Sequence, residues 1–216
     1  MCFSAQASFI SSSVLTVVGV AAVKKAGDKK TLPLAILPLI FAFQQLIEGL
    51  LWITLPETGA YKFSILTYVF LLVAQFFWPV WVPFAFYKAE VKSTNVAFLS
   101  FLVAVGGLAS LINLWQLIFN FPLAQIKQNH IHYFVFELPF LKNIGSALYV
   151  VSTLLPAFIA SIKGSKLLGL CLVFSFLISY FVYAEFMVSV WCYFAAPISL
   201  ILYYSVSEEK TETLSI

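Results

Sequence analysis

Long apolar stretches separated by short polar connections dominate the hydrophobic pattern of this chain. About 20 apolar residues in a helix, at about 1.5 Å per residue, cross the hydrocarbon of a bilayer. The pattern therefore predicts an all-α bundle of seven transmembrane helices in a single domain, residues 1–206, followed by a polar tail at residues 207–216. The predicted spans are 7–23, 32–55, 63–87, 95–119, 143–162, 166–183 and 186–205, and the turn between the last two lies at Glu185.

The lysines are distributed unevenly between the two sides of this predicted bundle. The even-numbered connections contain only Lys62, Lys127 and Lys142. The odd-numbered connections and the tail contain the others, which are Lys24, Lys25, Lys29, Lys30, Lys88, Lys92, Lys163, Lys166 and Lys210. Because cytoplasmic loops carry the excess of positive charge, we expect the N-terminus outside and the C-terminus in the cytoplasm. The start of the chain lacks a basic region before the first apolar run, so we expect that helix to be retained.

The composition narrows the class of protein. Charged residues make up 10% of the chain and hydrophobic residues 62%, with a mean hydropathy of +1.00. Soluble domains devote about a quarter of their residues to charge. These values predict a multi-pass integral membrane protein whose main partner is the lipid bilayer. The absence of arginine disfavours a nucleic-acid surface, and three cysteines are too few for a disulfide framework.

A polar stripe interrupts the second apolar run. Gln44 and Gln45 precede Glu48 by four and three positions, and Trp52 follows one turn later. Residues at these spacings share one side of a helix. Because a carboxylate in the bilayer interior is costly, such a residue normally faces the protein interior or a wet cavity. We therefore expect the other helices to pack around this stripe.

Further polar residues fall toward the outer side of the predicted bundle. They predict an outer pocket for a small ligand, lined by Gln44, Gln45, Glu48, Trp52, Asn113, Gln116 and Glu185. Thiol, carboxylate and imidazole groups suit a transition metal such as zinc or copper. A bound metal is able to supply catalytic chemistry, and the sequence leaves open whether this site is an enzyme's. The candidate metal ligands are Cys2, Glu48, His132 and Cys192.

Other functions fit the same residues. One alternative is a small solute transporter or proton-coupled permease that uses Glu48 as its titrating group and the proline-rich third helix as a moving part. Another is a thiol redox protein using Cys2 and Cys192, which the absence of a CxxC pair disfavours. The glutamines serve equally well as contacts between helices. The sequence assigns no catalytic residue and no oligomeric state.

Three elements of the chain together resemble a known family. They are the start Met-Cys-Phe-Ser-Ala, the QQxxExxxW element from Gln44 to Trp52, and the pair Trp191-Cys192 in the last span. This combination resembles a family of small, uncharacterised, multi-pass bacterial membrane proteins. The resemblance covers most of the chain and implies a membrane bundle in a bacterial inner membrane, but it brings no assigned activity.

Overall fold

The computed structural model describes residues 4–55, 61–136, 138–194, 198 and 201–204. Within these residues, the helices are α1 Ala5–Lys25, α2 Leu32–Thr54, α3 Ile65–Ala89, α4 Ser93–Phe119, α5 Pro139–Ile159, α6 Ser165–Val182 and α7 Met187–Tyr193. The strands are β1 Lys62–Phe63, β2 Leu123–Lys127 and β3 His130–Phe134. A turn at Ile36 interrupts α2, and a π-helical turn at Leu72–Phe77 interrupts α3.

Helices α1 to α6 are long and apolar enough to cross a membrane, and they are the six such helices in the described part of the chain. This finding indicates an integral membrane protein. The seventh predicted span, 186–205, is described only at residues 186–194, 198 and 201–204. The seven-span topology and the orientation of the termini therefore stay predictions, and the predicted tail lies outside the described residues.

The purely α-helical prediction is wrong for one region. The connection between α4 and α5 contains a β-hairpin, and β1 adds to it in an antiparallel sheet of order β1-β2-β3. Gln128 and Asn129 form the two-residue turn with φ angles of 49° and 58°. Two central residues with positive φ match the twist of a tight hairpin. Hydropathy alone did not reveal this hairpin, because each strand has only five residues.

The sheet packs against one end of the helical bundle. Ala124 of β2 and Ile131 of β3 are fully buried there, against Leu51 of α2, Phe70 of α3 and Leu117 of α4. A second hydrophobic cluster fills the opposite half of the bundle. Because apolar burial drives both contacts, the sheet is part of the core and closes that end of the bundle.

Candidate functional site

A buried polar cluster joins α2, α3 and α7. It consists of Gln44, Gln45, Glu48, Trp78, Ser189 and Cys192. The side chain of Glu48 is completely buried, with one carboxylate oxygen 2.5 Å from the Ser189 hydroxyl, which donates to it. The Gln45 amide nitrogen donates to the other oxygen at 3.3 Å. The carboxylate is thus bonded within the bundle interior and does not face lipid.

Gln44 connects the other members of the cluster. Its side-chain oxygen accepts a hydrogen bond from the Trp78 indole at 2.8 Å. Its amide nitrogen donates to the sulfur of Cys192 at 3.1 Å. The indole can only donate, so it orients the amide oxygen toward α3 and the amide nitrogen toward α7. One glutamine therefore holds three helices together.

The local sequence places these groups on common faces. Gln44, Gln45 and Glu48 lie three and four positions apart on α2, and Ser189 and Cys192 lie three apart on α7. Side chains at such spacings project from one side of a helix. The polar sides of α2 and α7 then face each other, which removes the carboxylate from the lipid.

Other buried polar atoms, at the end of the bundle that the sheet covers, lack a hydrogen-bond partner among the described residues. They are the Gln45 side-chain oxygen, both side-chain polar atoms of Gln116, the Thr67 hydroxyl and the Trp52 indole nitrogen. Buried polar groups are usually satisfied by protein or by ordered water, since an unsatisfied group costs about 1–3 kcal/mol. These atoms make the interior beneath the sheet more polar than its apolar sequence suggests.

An open cleft of about 680 Å³ lies between α5 and α6, beneath β3 and the turn Ala184–Phe186. We call it the lateral cleft. Of the predicted site residues, Asn113, His132, Glu185 and Cys192 line it, whereas Gln44, Gln45, Glu48, Trp52 and Gln116 do not. The structure thus divides the predicted pocket into a buried polar cluster and a lateral cleft. Cys192 contributes to both.

The π-helical turn of α3 forms one wall of the lateral cleft. Its successive carbonyls at Ala74, Gln75 and Phe76 accept hydrogen bonds from Tyr149, Asn113 and Ser110, at 2.9, 3.0 and 2.6 Å. Side chains of α4 and α5 therefore fix the irregular turn. Single π-helical turns are frequent at functional sites.

An ion pair lies at the rim of the lateral cleft. The Lys127 ammonium, at the end of β2, is 2.6 Å from the Glu185 carboxylate. The hydrogen bond from Lys127 lowers the pKa of Glu185, and the same bond raises the pKa of Lys127. Both groups are exposed and therefore screened, so the pair adds little to stability.

His132 lies beside this ion pair. Its Nδ1 is 3.0 Å from the Tyr61 hydroxyl. Burial and the nearby Lys127 lower the pKa of His132, so its imidazole is neutral at neutral pH. A neutral imidazole that contacts a tyrosine hydroxyl offers the cleft a hydrogen-bonding group without a charge.

Sequence analysis missed several residues of the lateral cleft. Lys142, Asn143, Ser146, Tyr149 and Val150 all line it from α5. They recur at spacings of three and four, which places them on one face of that helix. The polar members of this repeat, within an otherwise apolar segment, were the signal that could have revealed them.

The predicted metal ligands do not form a described metal site. In the part of the chain that the structure describes, no group of three His, Cys, Asp or Glu residues could hold a metal ion. Cys2 lies outside the described residues. A zinc or copper site that includes Cys2, and a thiol pair of Cys2 with Cys192, therefore stay predictions.

Comparison with known proteins assigns the chain to a family. The model of a family of unknown function (DUF6629) matches residues 1–215. The protein belongs to this family. No curated protein and no solved structure matches the chain. The DUF6629 match agrees with the expected resemblance to an uncharacterised family, and it includes both the buried polar cluster and the lateral cleft.

Proposed function

We propose that this DUF6629 protein binds a small ligand in the lateral cleft. The observation that carries the proposal is the cleft itself, whose volume of about 680 Å³ lies within the range of about 300–1,000 Å³ typical of ligand sites. Its lining combines aromatic side chains with a few polar groups, as ligand sites usually do. No catalytic step is assigned to it.

The polar groups of the cleft are held in fixed orientations. Asn113 and Tyr149 are bonded to carbonyls of the π-helical turn, and His132 contacts Tyr61. Groups positioned in this way lose little conformational entropy when a ligand binds. Cys192 lines the cleft, and its sulfur accepts a hydrogen bond from Gln44. A ligand that contacts Cys192 is therefore connected to the buried polar cluster through this hydrogen bond.

The test compares two adjacent valines of α5. Val150 lines the cleft, whereas Val151 is 39% exposed and does not line it. Protein purified in mild detergent is denatured, and the small molecules released are identified by mass spectrometry. We expect a stoichiometric compound in the wild-type protein and in Val151→Trp, and at least a tenfold lower amount in Val150→Trp, because the indole fills the cleft.

The two tryptophan variants have the same composition, so a general effect of a bulky aromatic residue appears in both. Thermal unfolding of each variant shows that it is folded. Ser146→Phe fills the cleft from an exposed position and replaces Val150→Trp if that variant does not fold. An equal amount of every released compound in all three proteins would contradict the proposal.

A second candidate function is proton-coupled transport through Glu48. The specific observation is that the carboxylate of Glu48 is fully buried and bonded to Ser189 and Gln45. The next helix along the chain, α3, contains the π-helical turn. Titratable groups within membrane helices commonly serve as proton relays. The compound released from the purified protein is the solute to test in proteoliposomes. We expect Glu48→Gln to abolish pH-driven uptake, whereas Asp28→Asn at an exposed connection retains it.

A further inference from the structure

A second cavity adjoins the lateral cleft, among the residues of the hydrophobic cluster that lies away from the sheet. Its volume is about 70 Å³, and we call it the inner cavity. Five helices line it, through Leu37 of α2, Val82 of α3, Thr153 of α5, Leu172 of α6 and Cys192 of α7. The inner cavity is therefore a space between packed helices and not a groove on the face of one helix.

The two cavities share a wall. Tyr149, Trp191 and Cys192 line both of them. The ring centroids of Tyr149 and Trp191 are 5.7 Å apart. The Tyr149 hydroxyl donates to the Ala74 carbonyl at 2.9 Å, whereas the Trp191 indole donates to the Ser175 hydroxyl at 3.2 Å, the upper end of the usual range. Trp191 is thus the less firmly held side of the wall, and a rotation of its indole would connect the two cavities.

The polar groups around the inner cavity already have partners within the protein. Among the described residues that line it, the polar side chains are those of Trp78, Tyr149, Thr153, Trp191 and Cys192. Each of them makes a hydrogen bond to another group of the chain. A cavity holds a water molecule only where it offers that water two to four polar partners. The lining therefore favours hydrocarbon over water or a charged group.

The size of the inner cavity limits what can enter it. An apolar cavity of about 150 Å³ stays dry and binds benzene. The inner cavity is about half as large, so it holds on the order of three carbon atoms. Because lipid chains are as apolar as this lining, an occupant from the bilayer gains van der Waals contacts and not a transfer out of water. The narrow end of an alkyl chain meets both conditions.

We propose that the inner cavity is the second part of the ligand site, and that the ligand of the lateral cleft has an alkyl chain whose last carbons pass Trp191 and lie in the inner cavity. The polar end of the ligand stays in the lateral cleft, where Asn113 and His132 lie. This inference rests on the proposed function. It names the ligand as a molecule with one polar end and one unbranched alkyl end.

The experiment locates the two ends of an uncharged probe. Full-length protein in lipid nanodiscs is irradiated with octanol that carries a diazirine at carbon 7 or at carbon 3, and the labelled residues are identified by mass spectrometry. We expect the carbon-7 probe to label Val82 and Phe86, which line the inner cavity. The carbon-3 probe should label Ser146 and Val150, which line the lateral cleft. The same labelling pattern from both probes would overturn the proposal.

Matched substitutions on α6 test whether the inner cavity receives the chain. Leu172 lines it, whereas Leu170 is 60% exposed and does not line it. Because its indole fills the inner cavity, Leu172→Trp should lower carbon-7 labelling of Val82 at least fivefold and leave carbon-3 labelling of Val150 within about twofold. Leu170→Trp should change neither. Thermal unfolding shows that each variant is folded, and Val82→Phe, measured by labelling of Phe86, replaces Leu172→Trp if that variant does not fold. Equal carbon-7 labelling in the filled and control variants contradicts the proposal.

Val150→Trp tests the route of entry and separates the two proposals. Because it fills the lateral cleft, it should lower labelling by both probes. Carbon-7 labelling of Val82 that Val150→Trp does not change would mean that the chain enters by another route, and the proposal would then fail. A released compound that depends on Val150, together with labelling that does not depend on Leu172, would refute this inference and leave the proposed function intact. If nothing depends on Val150 in either experiment, both proposals fail.

Discussion

Gln44 shows how much of this bundle depends on single polar side chains. Its spacing from Glu48 predicted that both residues share one side of α2, and both are fully buried in the structure. Their partners could not be predicted, because Trp78 and Ser189 lie on helices that meet α2 only in the folded chain. Local spacing indicates which face of a helix is buried, but not what that face contacts.

Glu90 is a residue whose importance the sequence did not reveal. Its carboxylate accepts hydrogen bonds from the backbone nitrogens of Val91, Lys92 and Ser161, at 3.0, 2.8 and 2.7 Å. The Ser161 hydroxyl and the Asn95 amide also donate to it. This single side chain joins the turn between α3 and α4 to the end of α5. As a residue in a short polar connection, it looked like an ordinary solvated acid.

We predict that Glu90→Gln lowers the stability of the protein by about 1–3 kcal/mol at neutral pH, because an amide cannot accept all of these bonds. Burial raises the pKa of Glu90, but the hydrogen bonds from Ser161, Lys92 and Asn95 outweigh it and hold the pKa below its ordinary value of 4.5. A lowered pKa gives a stabilisation that is present above 4.5 and is lost as the pH falls through the folded-state pKa.

Thermal unfolding in detergent, at neutral pH and in the range below 4.5, measures this effect. The wild-type protein should lose more stability on acidification than Glu90→Gln does. Asp28→Asn removes an exposed carboxylate and should retain the wild-type pH dependence. If Glu90→Gln and Asp28→Asn show the same loss at low pH, the carboxylate of Glu90 does not have the role described.

The elements of the fold differ in how much the sequence revealed about them. Six predicted spans correspond to α1 to α6, because about 20 apolar residues leave a bilayer segment few alternatives to a helix. The π-helical turn of α3 was not predicted. It depends on hydrogen bonds from Ser110, Asn113 and Tyr149, which belong to other helices. Elements that depend on such distant partners leave no local pattern.

Gly106 and Gly107 provide a test of the contact between α3 and α4. A Cβ added at Gly106 would lie 1.8 Å from the backbone oxygen of Pro79, whereas one at Gly107 would lie 3.9 Å from its nearest neighbour, Val80. Backbone atoms cannot move aside as a flexible side chain can. We therefore predict that Gly106→Ala destabilises the protein by about 1–3 kcal/mol or more, because α3 and α4 must move apart to admit the methyl group.

Gly107→Ala is the matched control. It should be neutral or stabilising by up to about 1 kcal/mol, because alanine loses less backbone entropy than glycine in a helix. Thermal unfolding and the monodisperse yield of both variants in the same detergent make the comparison. Equal stability of the two variants would show that the close approach of Pro79 to Gly106 does not constrain the bundle.

For the whole molecule, the predicted outer pocket corresponds to two separate features. Glu48 lies in the buried polar cluster, whereas Glu185 lies at the exposed rim of the lateral cleft. The sequence placed both groups toward one side of the membrane, but it gave no means to separate them. The β-hairpin covers the end of the bundle and carries His132 to the cleft. A pattern of apolar runs contains no information about such a cover.

The arrangement of the whole chain across the membrane yields the last prediction. The lysine distribution predicts that Lys62 and Lys127 lie outside and Lys88 in the cytoplasm. All three are exposed in the structure. Each is replaced by cysteine, and intact cells are treated with a membrane-impermeant maleimide, with the parent protein as background. Lys62→Cys and Lys127→Cys should be labelled, whereas Lys88→Cys should react only after the cells are permeabilised.

A tag at the C-terminus should be protected in intact cells if residues 186–205 form a seventh span, since an odd number of crossings places the two termini on opposite sides. A tag accessible from outside, together with labelled Lys62→Cys, would instead mean six crossings and a last segment that returns to the outer face, next to the lateral cleft.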